Sequence, residues 1–370
     1  MVIGVPREFE VQEYRVGMTP AGVARLVGDG HEVLVAAGAG IDSGILDDVY
    51  VRMGARMCPH VEEVYERADL VVKVKAPTDM ELPMLREGAT LFSFLHLATR
   101  PDLAGALADS GITAVACETV EDERGRLPLL RPMSEISGKM AVQVGANCLV
   151  KEKGGKGILL GGVPGVKTGM VVVLGGGTVG ANAARVADGM GASVYILDRD
   201  IRRLSYLDDI FQGRVNTVFS DAASVEELVS GADLVIGSVL EAGRRAPVLV
   251  REDLVRRMKA GSVVVDVSVD QGGCVETTRP TSHGNPTFVK HGIVHYAVPN
   301  MPGAVARTST FALGNVTIGY VARLAGLGLK GAVGQDPGLG SGVNVHQGHI
   351  THCGVAESLG LSCRPLGDMI

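Results

Sequence analysis

The chain has 370 residues, of which 46% are hydrophobic and 21% are charged, and its formal net charge is -6. This length favours two domains, because single cores seldom grow beyond roughly 250–300 residues, and the composition is that of a globular protein. No block of five or more basic residues occurs, so we expect no nucleic-acid partner. The first residues are too short an apolar run for a signal peptide, and apolar stretches are interrupted before the ~20 residues that a membrane helix needs. We expect a soluble, cytoplasmic protein with no membrane partner.

Short β-branched runs alternate with helical patterns, which is typical of parallel sheets with crossover helices. In the first third of the chain, strands are predicted at 2–5, 33–36, 69–75, 90–95 and 113–117. Thr19 followed by Pro20 predicts the start of a helix between the first two strands. This part of the chain is therefore predicted to be an α/β domain of its own.

A second series of strands follows a long helical pattern and a glycine-rich loop. Strands are predicted at 171–174, 194–197, 215–219, 234–237, 263–267 and 295–298, the order of a doubly wound nucleotide-binding sheet. The tail shows a helical pattern at 307–324 and no strand series. We therefore predict an α/β fold in which a Rossmann domain, residues 131–300, is inserted into a discontinuous substrate and catalytic domain, residues 1–130 and 301–370.

The turn Gly175-Gly176-Gly177-Thr178-Val179-Gly180 follows the strand at 171–174 and precedes an alanine-rich helical pattern. In this context, Gly175 permits the tight turn, Gly177 lets the backbone approach a pyrophosphate, and Gly180 allows close packing of helix on strand. The helix amino terminus then offers free N–H groups and a positive dipole to the phosphates. The sequence predicts a dinucleotide site.

Asp198 ends the next predicted strand, 18 residues beyond Gly180. A carboxylate there accepts hydrogen bonds from the adenosine ribose and repels a 2′-phosphate, which favours NAD. The neighbouring Arg199, Arg202 and Arg203 are of the type that accepts a 2′-phosphate, so NADP is the alternative. Because Asp198 occupies the strand end itself, we predict NAD.

Polar side chains follow several strands of the first domain. Arg15 comes after the first strand, Lys75 and Glu118 close two others, and His96 follows a fourth. Asp270 follows a strand of the nucleotide domain. Ligands of open α/β sheets collect at the carboxyl ends of strands, and this combination of cations and proton carriers suits an anionic substrate that loses a hydride and a proton. The alternative for each residue is an ordinary surface or structural role.

Eight segments together are more specific than the glycine turn: IGVPRE at 3–8, RVGMTP at 15–20, VKVKAP at 72–77, LHL at 95–97, RPMSE at 131–135, KGGKG at 153–157, VDVSVDQGG at 265–273 and HYAVPNMPG at 295–303. In these segments the chain resembles the bacterial alanine dehydrogenases nearly end to end. The resemblance implies two α/β domains with the nucleotide domain inserted. It also implies reversible NAD-dependent conversion of L-alanine to pyruvate and ammonium, and a homohexamer.

The resemblance also implies roles for individual residues. His96 and Asp270 are the expected acid/base residues, and the sequence does not divide the proton transfers between them. Arg15 and Lys75 are expected to bind substrate, with Met133 and Asn300 beside it. The expected cofactor contacts are Ser134, Gly175, Gly177, Thr178, Val179, Gly180, Asp198, Arg203, Ser220, Val239 and Leu240.

Two features of the sequence leave other interpretations open. His346, His349 and His352 precede Cys353 at close spacing, which suits zinc, but we expect a polar packed or surface segment and no metal. The basic pair Arg244-Arg245 is expected to be a solvated turn.

The six cysteines form no C-x-x-C pair, and we expect them to be buried thiols of a reducing compartment.

Two alternative functions remain. One is the soluble NAD(H)-binding subunit of proton-translocating transhydrogenase, which has no use for Arg15, Lys75, His96 and Asp270 together. The other is a non-catalytic NAD-binding regulator.

Overall fold

The chain divides into two compact units in a computed structural model, which describes residues 1–239 and 246–370. The first unit comprises Met1–Met133 and Gly303–Ile370, and the second comprises Ser134–Pro302. Each unit is built on a mainly parallel sheet with helices, so the predicted fold class is confirmed. The predicted domain boundaries lie slightly before those of the two units.

The first unit contains an eight-stranded sheet. Strands and helices are numbered in the order in which they occur along the chain. Its strands are β1 (Val2–Val5), β2 (Glu32–Ala36), β3 (Arg56–Cys58), β4 (Leu70–Lys75), β5 (Thr90–Phe94), β6 (Thr113–Ala116), β14 (Val343–His346) and β15 (His349–Ile350). They lie in the order β15-β14-β6-β5-β4-β1-β2-β3. All are parallel except the β14–β15 hairpin, which pairs antiparallel with β6.

Seven helices belong to the first unit: α1 (Pro20–Gly28), α2 (Asp47–Arg52), α3 (Val61–Arg67), α4 (Pro101–Asp109), α10 (Ala306–Gln335), α11 (Pro337–Gly342) and α12 (Cys353–Leu359). The predicted start of α1 is confirmed. The Thr19 side chain accepts a hydrogen bond from the Gly22 N–H at 3.3 Å, and Pro20 occupies the first helical position. This cap satisfies one of the amide groups that a helix start leaves unpaired.

The second unit contains a seven-stranded sheet of β7 (Met170–Leu174), β8 (Ser193–Asp198), β9 (Val215–Phe219), β10 (Leu234–Gly237), β11 (Val263–Asp266), β12 (Thr287–Lys290) and β13 (Ile293–Tyr296). Its order is β12-β13-β11-β10-β7-β8-β9, with only β12 antiparallel among the described strands. Its helices are α6 (Thr178–Gly189), α7 (Ile201–Phe211), α8 (Ala222–Gly231) and α9 (Glu252–Arg257), while α5 (Arg131–Cys148) begins in the first unit and continues into the second. The strand order reverses between β7 and β10, which is where a doubly wound sheet binds its ligand.

Several features of the tail differ from the sequence-based expectation. The tail does contain strands, because β14 and β15 extend the first sheet. Cys353 and Cys363 form a disulfide, so the expectation of thiols at all six positions is wrong, whereas Cys58, Cys117, Cys148 and Cys274 are buried and free. The sequence signal of β14 and β15 was weak because both strands are short and β14 pairs with β6, which is distant in sequence.

The segment Met301–Gln335 is long and apolar enough to cross a membrane by length and composition alone. This differs from the expectation that every apolar stretch would be too short. Within it, α10 contacts α1 and α11, and Gly328 departs from helical geometry with φ 66°. Because core helices of soluble proteins pass the same test, this single segment is weak support for a membrane span.

Candidate active site

The glycine turn after β7 has the geometry of a phosphate-binding loop. Gly175 has φ +100°, a conformation that favours glycine. A Cβ added at Gly177 would have open space around it, whereas a Cβ at Gly180 would lie 1.9 Å from the Gly175 carbonyl oxygen. The turn therefore leaves room for a ligand at Gly177 and packs α6 tightly at Gly180, and Thr178 and Val179 begin that helix.

Asp198 lies at the carboxyl end of β8, beside this turn. Its Oδ2 accepts a hydrogen bond from the Gly176 N–H at 2.6 Å, and its Oδ1 accepts one from the Asp200 N–H at 2.9 Å. Arg203, on α7, donates to the carbonyl oxygens of Gly176 and Gly177. The carboxylate is thus held at the edge of the turn, and the arginine is engaged with the turn's backbone. These residues fit the adenosine end of NAD.

The other predicted cofactor contacts of this unit also follow strand ends. Ser220 comes directly after β9, is buried, and donates its N–H to the Asp198 carbonyl at 2.9 Å. Val239 follows β10 and its carbonyl accepts the Ser268 hydroxyl at 2.8 Å. Ser134 is half-buried near the start of α5. Leu240 and the Arg244-Arg245 pair lie outside the described residues.

Arg15 is buried in the first unit and paired with a neighbouring carboxylate. Its Nε and Nη2 donate to the two oxygens of Glu13 at 2.6 and 2.5 Å, and Nη1 lies 3.2 Å from the Met133 Sδ. Both side chains of the ion pair are almost inaccessible to water. This bidentate geometry fixes the plane of the guanidinium. The structure therefore brings together Arg15 and Met133, two of the predicted substrate-binding residues.

Lys75 ends β4, and its backbone is held by a buried carboxylate. Glu8 accepts the Val74 N–H at 2.6 Å and the Lys75 N–H at 3.3 Å. The same Glu8 lies 3.2 Å from the Lys73 ammonium, which also pairs with Glu81. Burial alone would lower the pKa of Lys73, but these two carboxylates raise it above its usual value. Lys73 is thus a charged structural anchor, while Lys75, at the end of the strand, is half-buried.

His96 follows β5 and has a left-handed backbone, with φ 51° and ψ 41°. Glu118, which lies in the 3-10 turn Cys117–Thr119 after β6, binds this bend. Its Oε1 accepts the His96 N–H at 2.6 Å, and its Oε2 accepts the Leu95 N–H at 3.1 Å. The His96 residue is exposed, and its ring stacks near that of Phe94 with centroids 6.1 Å apart.

Lys75 and His96 lie at one edge of the first sheet, because β4 and β5 are parallel neighbours and Lys75 pairs with Phe94. The strand β1, which leads into the Arg15 segment, is the next parallel neighbour of β4. A cavity of about 580 Å³ also opens beside Arg15. Neither Lys75 nor His96 lines this cavity, so we do not assign it to substrate.

Asp270 and Asn300 lie in the second unit. Asp270 is exposed on the 3-10 turn Val267–Gln271, which follows β11. The base of this turn is held by buried Asp266, which accepts N–H groups of Ser268, Cys274 and Val275. Burial raises the pKa of Asp266. Asn300 has a left-handed backbone with φ 56° and is half-buried.

The tail histidines have separate structural roles. His346 is buried on β14 with its Nδ1 2.8 Å from the Thr113 hydroxyl, and the exposed His349 lies 3.1 Å from Arg364. The His352 Nδ1 accepts the Val355 N–H and caps α12. Within residues 1–239 and 246–370 no cluster of side chains has the geometry of a metal site.

Comparison with known proteins identifies the family. Residues 4–137 match the alanine dehydrogenase/PNT N-terminal domain, and residues 141–353 match the C-terminal domain. The alanine dehydrogenase of Halomonas elongata is 51% identical over 361 residues, covering 98% of this chain and 97% of that protein. The chain belongs to the alanine dehydrogenase family. The sequence-based resemblance is confirmed.

Solved structures from the two branches of this family differ in their similarity to this chain. An L-alanine dehydrogenase has a TM-score of 0.94 and 50% identity, with 97% of this chain and 99% of that chain covered. The transhydrogenase of Sinorhizobium meliloti has a TM-score of 0.81 and 25% identity, with 95% and 99% covered. The alanine dehydrogenase interpretation is favoured over the transhydrogenase subunit. NAD is the cofactor of the family, and membership indicates a soluble protein.

Sequence reasoning missed the roles of the carboxylates that hold the candidate site residues. Glu13 lies two residues before Arg15, so the spacing was a usable local signal. Glu8 and Lys75 are separated by 67 positions, and no local pattern connects them. Glu118 was noticed at a strand end, but its role in binding the backbone of His96 depends on the pairing of β5 with β6.

Proposed function

We propose that the protein catalyses the reversible NAD-dependent oxidative deamination of L-alanine to pyruvate and ammonium. The observation that supports this most strongly is the match to alanine dehydrogenases over the full chain. The edge that carries Lys75 and His96 adds support, because it offers a cation and a proton carrier at the ends of neighbouring strands. We further propose that the protein is a cytoplasmic homohexamer.

In this proposal the second unit binds the cofactor. When bound, NAD supplies the acceptor for the hydride on Cα of the substrate. Ser134, Gly175, Gly177, Thr178, Val179, Gly180, Asp198, Arg203, Ser220, Val239 and Leu240 are the proposed contacts. The open space at Gly177 and the carboxylate at Asp198 fit a pyrophosphate and a ribose respectively.

Arg15 and Lys75 bind the substrate in our proposal, with Met133 and Asn300 beside it. Arg15 is pre-oriented by Glu13, so little side-chain freedom is lost when it donates to a carboxylate. The Lys75 ammonium is directed to the amine or carbonyl end, where it stabilises charge on the carbonyl oxygen.

His96 and Asp270 are the proposed acid/base residues. Deamination requires a proton to leave attacking water and another to reach the departing nitrogen. An imidazole, whose ordinary pKa is near 6.5, both accepts and donates protons near neutral pH. The carboxylate of Asp270 is of the type that accepts a proton from water or an amine.

The activity is tested by following NADH formation with L-alanine and with glycine, serine, leucine and glutamate. We expect L-alanine to be used best, because a cavity fitted to a methyl group excludes bulk by overpacking. Reductive amination of pyruvate with NADH and ammonium should also be observed. Faster oxidation of leucine or glutamate would contradict the substrate assignment.

The proposed roles are tested by substitution. His96→Ala and Asp270→Asn should each lower kcat by about 10²–10⁴-fold while NADH still binds. Arg15→Lys keeps a positive charge beside buried Glu13 but removes the bidentate fork, so KM for alanine and pyruvate should rise more than kcat falls. Near-normal turnover in both acid/base variants would contradict their assignment.

A further inference from the structure

We propose that Glu118 is a positioning residue that acts through His96. The inference rests on the proposed function, in which His96 is an acid/base residue. The Glu118 carboxylate accepts hydrogen bonds from two consecutive backbone amides, those of Leu95 and His96, at 3.1 and 2.6 Å.

The backbone of His96 requires such support. Its φ of 51° and ψ of 41° place it in the left-handed region, which is unfavourable for a residue with a Cβ, although histidine is among those enriched there. Strained conformations persist only where surrounding contacts over-determine them. The two hydrogen bonds that these amides donate to a single carboxylate do this, because both amides must face the same point.

The left-handed backbone of His96 sets the direction of its imidazole. An extended backbone at position 96 would continue the path of β5 and send the side chain in another direction. The left-handed residue instead ends the strand and starts the 3-10 turn Leu97–Thr99. The carboxylate of Glu118 therefore selects the direction in which the exposed imidazole leaves the sheet.

Glu118 is itself held firmly, which a positioning role requires. Its 3-10 turn follows β6, the parallel neighbour of β5. The adjacent Thr119 hydroxyl donates to the Asn344 Oδ1 at 2.9 Å on β14, and Cys117 on the other side is buried. The turn is thus fastened to strands on both sides, and its carboxylate is a fixed acceptor.

The test compares Glu118→Ala, Glu118→Gln and the control Glu121→Gln, which changes an exposed glutamate three residues further along. Glu118→Ala should lower kcat by about 10²-fold, because small misplacements of a reacting group cost that much. Glu118→Gln keeps one acceptor oxygen and should lose less. KM for pyruvate and the Kd of NADH should stay within about threefold of the parent values, since interactions that are equally strong in the ground and transition states are unaffected. Glu121→Gln should match the parent in all three quantities.

A double-substitution cycle separates this inference from the proposed function. If Glu118 acts through His96, then adding Glu118→Ala to His96→Ala should cause no further loss of kcat. An equal loss in both backgrounds would overturn the positioning role. So would parent-like kcat in both Glu118 variants, or an effect on KM alone. Parent-like turnover in His96→Ala alone would instead overturn the acid/base assignment. Should Glu118→Ala fail to fold, the isosteric Glu118→Gln carries the same comparisons.

Discussion

At the level of single residues, several carboxylates in this protein hold backbone or side-chain groups in place. Glu13 orients a guanidinium, whereas Glu8, Glu118 and Asp198 each accept backbone N–H groups. Such charge-assisted hydrogen bonds are stronger than those between neutral groups. Glu13, Glu8 and Glu118 thereby hold the proposed site residues Arg15, Lys75 and His96, whereas Asp198 holds the glycine turn.

Asp198 is expected to decide the choice between NAD and NADP. Asp198→Ala should weaken NADH binding by about 1.5–3 kcal/mol, because hydrogen bonds to a charged acceptor are lost. NADP use should improve relative to NAD, since the repulsion of a 2′-phosphate is removed and Arg199 and Arg203 are near in sequence. Fluorescence titration with NADH and NADPH measures both changes.

The matched control for Asp198 is Asp209→Ala, which removes an exposed carboxylate of α7. It should leave both affinities unchanged. An Asp198→Ala variant that binds NADH like the parent would show that the carboxylate does not contact the ribose.

At the scale of elements, the fit of α6 against the glycine turn depends on Gly180. A Cβ there would lie 1.9 Å from the Gly175 carbonyl and 2.9 Å from the Ser238 hydroxyl. Gly180→Ala must therefore displace the helix start, and overpacking of this kind costs about 1–3 kcal/mol. We expect a lower Tm and weaker NADH binding, measured by thermal unfolding and fluorescence titration.

The same helix provides the control. A Cβ at Gly189, the last residue of α6, would meet no atom within 4 Å. Gly189→Ala should be neutral or raise stability by up to about 1 kcal/mol, because alanine favours the helix. Unchanged NADH affinity and Tm in Gly180→Ala would contradict the close packing of α6 against the glycine turn.

The strand β13 carries a buried histidine that makes stability depend on pH. The His295 Nδ1–H donates to the Ile293 carbonyl at 3.0 Å, so its Nε2 accepts the Thr277 hydroxyl at 2.7 Å. Burial lowers the pKa of His295 from 6.5 to about 4. Between these values the unfolded chain binds a proton that the folded chain does not. The stabilisation contributed by neutral His295 is therefore complete above pH 6.5 and is lost as the pH falls towards 4.

This loss should amount to on the order of 3 kcal/mol across the window. His295→Gln does not titrate, so the Tm difference between parent and variant should shrink as the pH falls from 7 to 4. His60→Gln, which changes an exposed histidine, should follow the parent at every pH. A constant difference between the parent and His295→Gln would contradict the assignment.

At the scale of the whole molecule, the proposed homohexamer is tested by multi-angle light scattering. The expected mass is six times the chain mass of 38.5 kDa. The expectation rests on the resemblance to the alanine dehydrogenases, which covers both units. The mass should stay constant over a tenfold dilution around the assay concentration, and a monomer mass there would refute the proposal.

Features whose causes are local could be predicted from the sequence. The strand runs, the cap formed by Thr19 and Pro20, and the spacing of Gly175, Gly177 and Gly180 act within a few residues, so their patterns were readable. The sequence also determined the family, because eight matching segments span the chain. Residue types at strand ends then indicated Arg15, Lys75 and His96, since parallel strands share an edge at their carboxyl ends.

The groups that hold those residues, in contrast, depend on the folded arrangement of the chain. Glu118 reaches His96 across 22 positions, Glu8 reaches Lys75 across 67, and Arg15 contacts Met133 across 118. The short strand β14 depends in the same way on pairing with distant β6. Such contacts arise from strand order and close packing rather than from local preference, so no sequence window contains both partners.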